Sequence, residues 1–80
     1  MDNNQLRSRV TDTFRNIFGE PNLNIRDDLT AEDVEQWDSL THMNLIVALE
    51  REFRVRFTTG EVSKLKNVGD LINLIQAKTS

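Results

Sequence analysis

Apolar residues recur every three or four positions in three stretches of the chain, the spacing that places them on one face of an α-helix. In the first stretch they fall within an arc of roughly 80° at about 100° per residue. The residues of this arc are Leu6, Val10, Phe14 and Ile17. Gly19 and Pro21 follow, and both residue types commonly end helices. The pattern therefore predicts a first amphipathic helix of about 14 residues.

The strongest helical pattern runs from residue 38 or 39 to Phe53 and contains no glycine or proline. Asp38 and Ser39 are both suitable N-caps, because a short polar side chain accepts hydrogen bonds from the free N–H groups at a helix start. This stretch therefore predicts a long second helix. Its first residue depends on whether Asp38 or Ser39 is the N-cap.

Two apolar stripes run along this second helix, about 140° apart. The wider stripe consists of Leu45, Ile46, Leu49 and Phe53, and the narrower one, which we call the outer stripe, of Leu40, Met43 and Val47. Because a small bundle cannot bury both sides of one helix, we expect the wider stripe in the core and the outer stripe exposed or half covered. The outer stripe is then either a docking surface, for which methionine is an adaptable contact, or a set of scattered surface residues.

The stretch between these helices, residues 20–37, lacks helical periodicity and predicts a long loop. Within it, Thr30 and Asp33 have the spacing of one capped turn. Its scattered apolar residues can hold the loop against the core; they are Leu23, Ile25 and Leu29. After the second helix, residues 54–57 alternate polar and apolar side chains, but four residues cannot form a sheet alone. We expect an extended connector there.

The last third of the chain predicts two further helices. Thr58 and Glu61 have the spacing of a capping box, which opens a short helix reaching about Leu65. Asn67 can cap a final helix. Its inward arc is Val68, Leu71, Ile72 and Ile75. The predicted fold class is all-α: a small four-helix bundle of three longer helices and one short third helix, with a long first loop, in a single domain of residues 1–80.

The composition of the chain restricts the chemistry and the location that we expect for this protein. The chain has 80 residues and no cysteine, so it has no disulfide, thiolate metal site or cysteine nucleophile, and any thiol chemistry must be imported. No stretch approaches the roughly 18 apolar residues of a membrane span, and the chain start lacks a signal core. We therefore expect a cytoplasmic protein without a membrane partner.

The net charge of −3 is unevenly distributed. Residues 20–38 contain seven acids against Arg26 alone, whereas both flanking regions are mildly positive. No strongly basic surface is available for a phosphate backbone, so we do not expect nucleic acid as a partner. The acidic loop lacks the glycine of a calcium-binding loop and predicts no metal site. Its field can instead steer basic partners.

Ser39 lies at the positive end of the second helix, where free N–H groups favour a phosphate group. The alternative is that Ser39 is an ordinary N-cap. We do not expect a hydrolase built on Ser39 and His42, because there is no strand and glycine elbow to present the serine and no deep pocket. The sequence therefore predicts no catalytic residues.

The run Trp37-Asp38-Ser39-Leu40, followed by an amphipathic helix that closes in Ala-Leu-Glu-Arg-Glu-Phe, resembles the modification site and second helix of acyl carrier proteins. The resemblance extends from about residue 5 to residue 76. It includes Asp-Asp-Leu at 27–29 in the long loop and Val-Gly-Asp-Leu-Ile at 68–72 in the last helix.

The resemblance implies that Ser39 receives 4'-phosphopantetheine from coenzyme A through a Mg²⁺-dependent phosphopantetheinyl transferase. Acyl intermediates would then be held as thioesters on the terminal thiol and delivered to acyl-loading, synthase and transferase enzymes of fatty-acid, polyketide or related lipid pathways. The protein itself would be a carrier without catalytic activity. The implied partner-binding residues are Asp38, Leu40, Met43, Asn44, Val47 and Glu50.

The chain departs from the family pattern in ways that suggest a specialised bacterial carrier. Trp37 stands where fatty-acid carriers usually have glycine, and Asn44 and Arg51 stand where acids are common. The alternatives are a peptidyl (aminoacyl) carrier and a helical interaction module that is never modified. We expect a monomer.

Overall fold

Four α-helices form most of residues 2–79, the part of the chain that this computed structural model describes. They are α1 (Asn3–Phe18), α2 (Ser39–Phe53), α3 (Thr59–Ser63) and α4 (Val68–Thr79). No strand occurs within residues 2–79. The all-α bundle with a short third helix and a long first loop is therefore confirmed, including the extended connector between α2 and α3.

Both ends of α1 are capped. The Asp2 carboxylate accepts a hydrogen bond from the Gln5 N–H at 3.1 Å, and Gly19 has φ 65°, a left-handed conformation that costs glycine little. The buried face is Leu6, Val10, Phe14 and Phe18. Ile17, expected on this face, is only half-buried, because the buried row advances by four residues each turn and so reaches Phe18.

The helix α1 packs against α2 and α4. The wider stripe of α2 is buried as predicted, with Leu45 and Leu49 fully excluded from solvent. On α4 the predicted inward residues Val68, Leu71, Ile72 and Ile75 are also buried. The core is therefore made mainly of three helix faces.

The long loop adds residues to this core that the helical patterns do not reveal. Leu29 is buried as expected, and Val34 and Trp37 are buried with it. The Trp37 ring packs edge-on against Phe14, with 5.5 Å between ring centroids, and lies 5.8 Å from the Phe18 ring. Trp37 therefore fixes the chain to the core just before α2 begins.

Backbone hydrogen bonds hold the loop against the start of α4. The Val68 N–H donates to the Leu29 carbonyl at 3.0 Å, and the Gly69 N–H to the Asp27 carbonyl at 2.8 Å. A Cβ atom at position 69 would lie 3.0 Å from that Asp27 oxygen, so any larger residue would push the loop away by a few tenths of an ångström. Further along, the predicted turn is present: the Asp33 carboxylate accepts hydrogen bonds from the Thr30 N–H and hydroxyl.

The predicted caps of α3 and α4 are also present. The Thr58 hydroxyl accepts the Glu61 N–H, and the Glu61 carboxylate accepts the Thr58 N–H, which completes a capping box. The helix α3 ends at Ser63, two residues before the expected Leu65. Asn67 caps α4 by accepting the Asp70 N–H at 2.8 Å.

Candidate functional site

Ser39 is the first residue of α2 and is exposed. Asp38 is the N-cap: its carboxylate accepts a hydrogen bond from the Thr41 N–H at 2.8 Å. The pKa of Asp38 is lowered, above all by that backbone hydrogen bond, so the cap stays ionised at neutral pH. Because Asp38 takes the capping role, the ordinary N-cap explanation of Ser39 is wrong. No hydrogen bond joins the Ser39 hydroxyl to another residue between 2 and 79.

Trp37 and His42 form a stacked pair beside this serine. The Trp37 Nε1–H donates to His42 Nδ1 at 3.0 Å, and the two rings lie 21° from parallel with centroids 6.1 Å apart. An Nδ1 that accepts a hydrogen bond carries no proton, so the neutral imidazole holds its proton on Nε2. Partial burial lowers the pKa of His42 and favours this neutral form. The geometry gives His42 a packing partner in Trp37, and it is not paired with Ser39.

An open cleft of about 570 Å³ lies beside Ser39. Its walls come from the long loop, the first turn of α2 and the segment between α3 and α4. The lining residues are Ala31, Trp37, Asp38, Ser39, His42, Met43, Leu65 and Lys66. A second groove of about 790 Å³ between α3 and α4 shares Leu65 and Lys66 with it. An extended group on Ser39 therefore has two adjoining grooves within its reach.

The outer stripe is exposed as predicted. Leu40 is 73% exposed, Met43 53% and Val47 44%, and these are the large exposed hydrophobic residues of the described chain. Asn44 is exposed beside them. Glu50 is half-buried, and its carboxylate accepts a hydrogen bond from the Phe57 N–H at 2.9 Å. The six residues expected to bind partners therefore lie along α2 from its cap to its last turn, with Glu50 engaged inside the protein.

The loop acids are arranged as surface charges. Asp27 pairs with Arg7 at 2.7 Å, and Asp28 with Arg26 at 2.8 Å. Residues 2–79 contain no group of three or more histidine, cysteine, aspartate or glutamate side chains placed to hold a metal ion. Within the same range, no helix combines the length and apolar character that crossing a bilayer requires.

Comparisons with known proteins agree with this arrangement. A family model described as the phosphopantetheine attachment site matches residues 8–75. The fold is similar to the solution structure of the holo acyl carrier protein from Geobacter metallireducens, with a TM-score of 0.86 and 43% identity over 90% of this chain and 83% of that one.

Two curated relatives are also acyl carrier proteins. The protein from Clostridium acetobutylicum is 45% identical over 42 residues, which is 52% of this chain and 54% of that protein. The protein from Acidothermus cellulolyticus is 28% identical over 75 residues, 94% of this chain and 89% of that protein. The alignment thus spans about half of the clostridial relative and most of the other.

These matches define a phosphopantetheine-attachment domain built as a four-helix bundle. Within that class the chain belongs to the acyl carrier protein family. The family's cofactor is a covalently attached phosphopantetheine group. The 80 residues contain no cysteine.

Proposed function

We propose that Ser39 is the attachment site and that the protein carries acyl chains for biosynthetic enzymes. The observation that carries this proposal is an exposed serine at the first position of α2, with the neighbouring Asp38 serving as the N-cap. A hydroxyl that caps nothing is available to react. Its place at the helix start is favourable for the phosphate that the reaction leaves there.

The surroundings of Ser39 fit a phosphopantetheine group. The cleft beside the serine combines apolar walls, such as Met43 and Leu65, with polar ones, such as His42 and Lys66. That mixture suits an arm made of short aliphatic segments joined by amides. When bound, the group supplies a terminal thiol on which acyl chains are held as thioesters.

The attachment step requires only the serine oxygen from this chain. The Ser39 Oγ forms a phosphoester with the pantetheine-bearing phosphate of coenzyme A. The bond between the two phosphates of coenzyme A breaks, adenosine 3',5'-bisphosphate leaves, and the hydroxyl proton is released. Activation of the oxygen belongs to a phosphopantetheinyl transferase with Mg²⁺, since no base contacts Ser39 among the described residues.

Incubation of the apo protein with coenzyme A, Mg²⁺ and a broad-specificity phosphopantetheinyl transferase tests the attachment site. We expect intact mass spectrometry to show one added phosphopantetheine group on the wild type and none on Ser39→Ala. The matched control is Ser8→Ala, which removes another exposed serine and should be modified like the wild type. An unmodified wild type, or equal modification of Ser39→Ala, would refute the proposal.

We further propose that enzymes reach the cargo by docking on α2. The proposed contacts are Asp38, Leu40, Met43, Asn44, Val47 and Glu50. The exposed fractions of the outer stripe support this role, because contiguous apolar surface beside a reactive group is typical of a binding face. The pathway (fatty-acid, polyketide or related), the specialised bacterial type, the cytoplasmic location and the monomeric state stay predictions.

A further inference from the structure

Three exposed arginines stand where the outer stripe ends. Arg51 follows Val47 by four positions and therefore lies on the same face of α2. Arg54 is the C-cap of the helix in a left-handed conformation, and Arg56 lies in the connector. The three arginines, together with Val47, Glu50 and Val55, line a shallow groove of about 300 Å³. The apolar stripe thus continues into a basic groove.

The fold itself does not use these charges. None of the three arginines forms an ion pair within residues 2–79. The acids closest to them along the chain are engaged elsewhere: Glu50 accepts the Phe57 N–H, and Glu52 pairs with Arg9 at 3.3 Å. The helix dipole accounts for cations in the last turn and at the C-cap, which are Arg51 and Arg54, and not for Arg56 in the connector.

Charge is therefore separated along the docking face. Asp38, the N-cap, lies at the Ser39 end of α2, and the arginines lie at the other end. Arg51 follows Ser39 by twelve positions, which is about 18 Å along a helix axis. The outer stripe lies between these two regions. A partner that covers the whole stripe must meet the arginines.

We propose that the Arg51, Arg54 and Arg56 groove, with Val47 beside it, is a docking site for a partner enzyme that presents carboxylate side chains next to an apolar patch. Guanidinium groups bind carboxylates through paired N–H donors and are enriched in protein interfaces. The site rests on the proposed function in one respect, namely that this partner acts on cargo held at Ser39. The C-terminal half of α2 would then prefer acidic partners, whereas the acidic loop would prefer basic ones.

Two synthetic amphipathic peptides with the same leucine face test this charge preference. One carries glutamates beside the leucines and the other carries lysines. Each is titrated into ¹⁵N-labelled holo protein at low salt, and amide shifts are followed at residues 43–56. We expect the glutamate peptide to shift these amides, with an affinity that falls as salt is added. A preference of this face for the lysine peptide, or no shift with either peptide, would overturn the proposal.

Charge-reversal variants show which residues cause the preference for the glutamate peptide. Arg51→Glu should weaken binding of the glutamate peptide about three- to tenfold, and Arg56→Glu gives a second variant should the first not fold. Lys64→Glu is the matched control, since it changes the same charge at an exposed position on α3's end and should leave the affinity unchanged. If Lys64→Glu weakened binding of the glutamate peptide equally, the effect would come from net charge, and the proposed docking site would be overturned. Concentration-dependent self-association lost in Arg51→Glu would also overturn it, in favour of a second copy as occupant.

The same titration on unmodified protein separates this inference from the proposed function. If transferase leaves Ser39 unmodified while the glutamate peptide still binds the arginines, the carrier proposal fails and the charge preference of the groove stands. If Ser39 is modified and neither form prefers the glutamate peptide, the docking inference alone fails.

Discussion

Trp37 and His42 show how single residues prepare the start of α2. The indole is buried against Phe14, and its Nε1–H reaches out of the core to His42 Nδ1. A buried indole N–H needs an acceptor, and the imidazole supplies one only while Nδ1 is unprotonated. The pair therefore links the core to the residues that flank Ser39, and the link depends on pH.

We expect the stability of the protein to decline as the pH falls below about 6.5, the ordinary pKa of histidine. Burial lowers the pKa of His42 in the folded protein, so below that value the unfolded chain binds the proton more readily. The stability that neutral His42 contributes is therefore fully present above about pH 6.5. It is lost as the pH falls from the pKa of His42 in the unfolded chain to its lower pKa in the folded protein. Thermal melts followed by fluorescence of the single tryptophan measure this change.

The control for this pH effect is His42→Gln, whose amide oxygen can accept from the Trp37 Nε1–H without titrating. Its melting temperature should be flat over the range in which the wild type declines. A decline of equal size in His42→Gln would assign the pH dependence to carboxylates and contradict the role given to His42.

Some residue roles were predictable from the sequence and others were not. Local hydrogen bonds such as the Thr58 and Glu61 capping box follow from spacing alone, and they are present. The sequence left Asp38 and Ser39 as equal candidates for the α2 cap, because both side chains suit that position. Trp37 gave no periodic signal, since its burial depends on the loop folding back onto α1.

Within one element, α2 separates a core face from an outer face. We expect Met43→Ala and Val47→Ala to lower the free energy of unfolding by well under about 1 kcal/mol, because both side chains remain largely in solvent. Leu45→Ala, on the fully buried face, should cost about 2 to 5 kcal/mol. Chemical denaturation of the three variants makes the comparison. Large losses for Met43→Ala and Val47→Ala would place the outer stripe in the core and remove the docking surface.

The contact between the long loop and α4 depends on Gly69. Its missing Cβ lets the Asp27 carbonyl accept the Gly69 N–H at 2.8 Å. We expect Gly69→Ala to cost about 1 to 3 kcal/mol of unfolding free energy, since the added atom would lie 3.0 Å from that oxygen. Urea denaturation measures the loss.

Gly60 provides the matched control for Gly69. A Cβ at position 60 meets nothing closer than 4.0 Å, and the residue lies within α3 without a positive φ. Gly60→Ala should therefore be neutral or stabilising by up to about 1 kcal/mol. Equal losses at both positions would show that the loop contact does not set the cost at position 69.

At the scale of elements, helix existence and the inward faces were predictable, and contacts between elements were not. Periodicity identified α1, α2 and α4, and a capping box identified α3. The α3 end at Ser63 and the place of Leu65 and Lys66 beside Ser39 come from packing between distant segments. A single sequence gives no spacing rule for such contacts.

Considered as a whole, the molecule is a small bundle whose core is supplied by three helices and one loop. That core leaves one side of α2 without cover, and two open clefts lie beside Ser39 and between α3 and α4. A chain of 80 residues has little interior in which to enclose a reaction site, and Ser39 with its clefts lies at the surface. The groove that Arg51, Arg54 and Arg56 line together required the structure.

Protein purified from its native host shows whether Ser39 carries the phosphopantetheine arm. Intact mass spectrometry followed by sequencing of the proteolytic peptide that contains Ser39 measures the attachment. We predict a mass higher than that of the bare chain by one phosphopantetheine group, with or without an acyl load, located on Ser39. A protein recovered with the mass of the bare chain, or with the group on another residue, would rule out Ser39 as the attachment site.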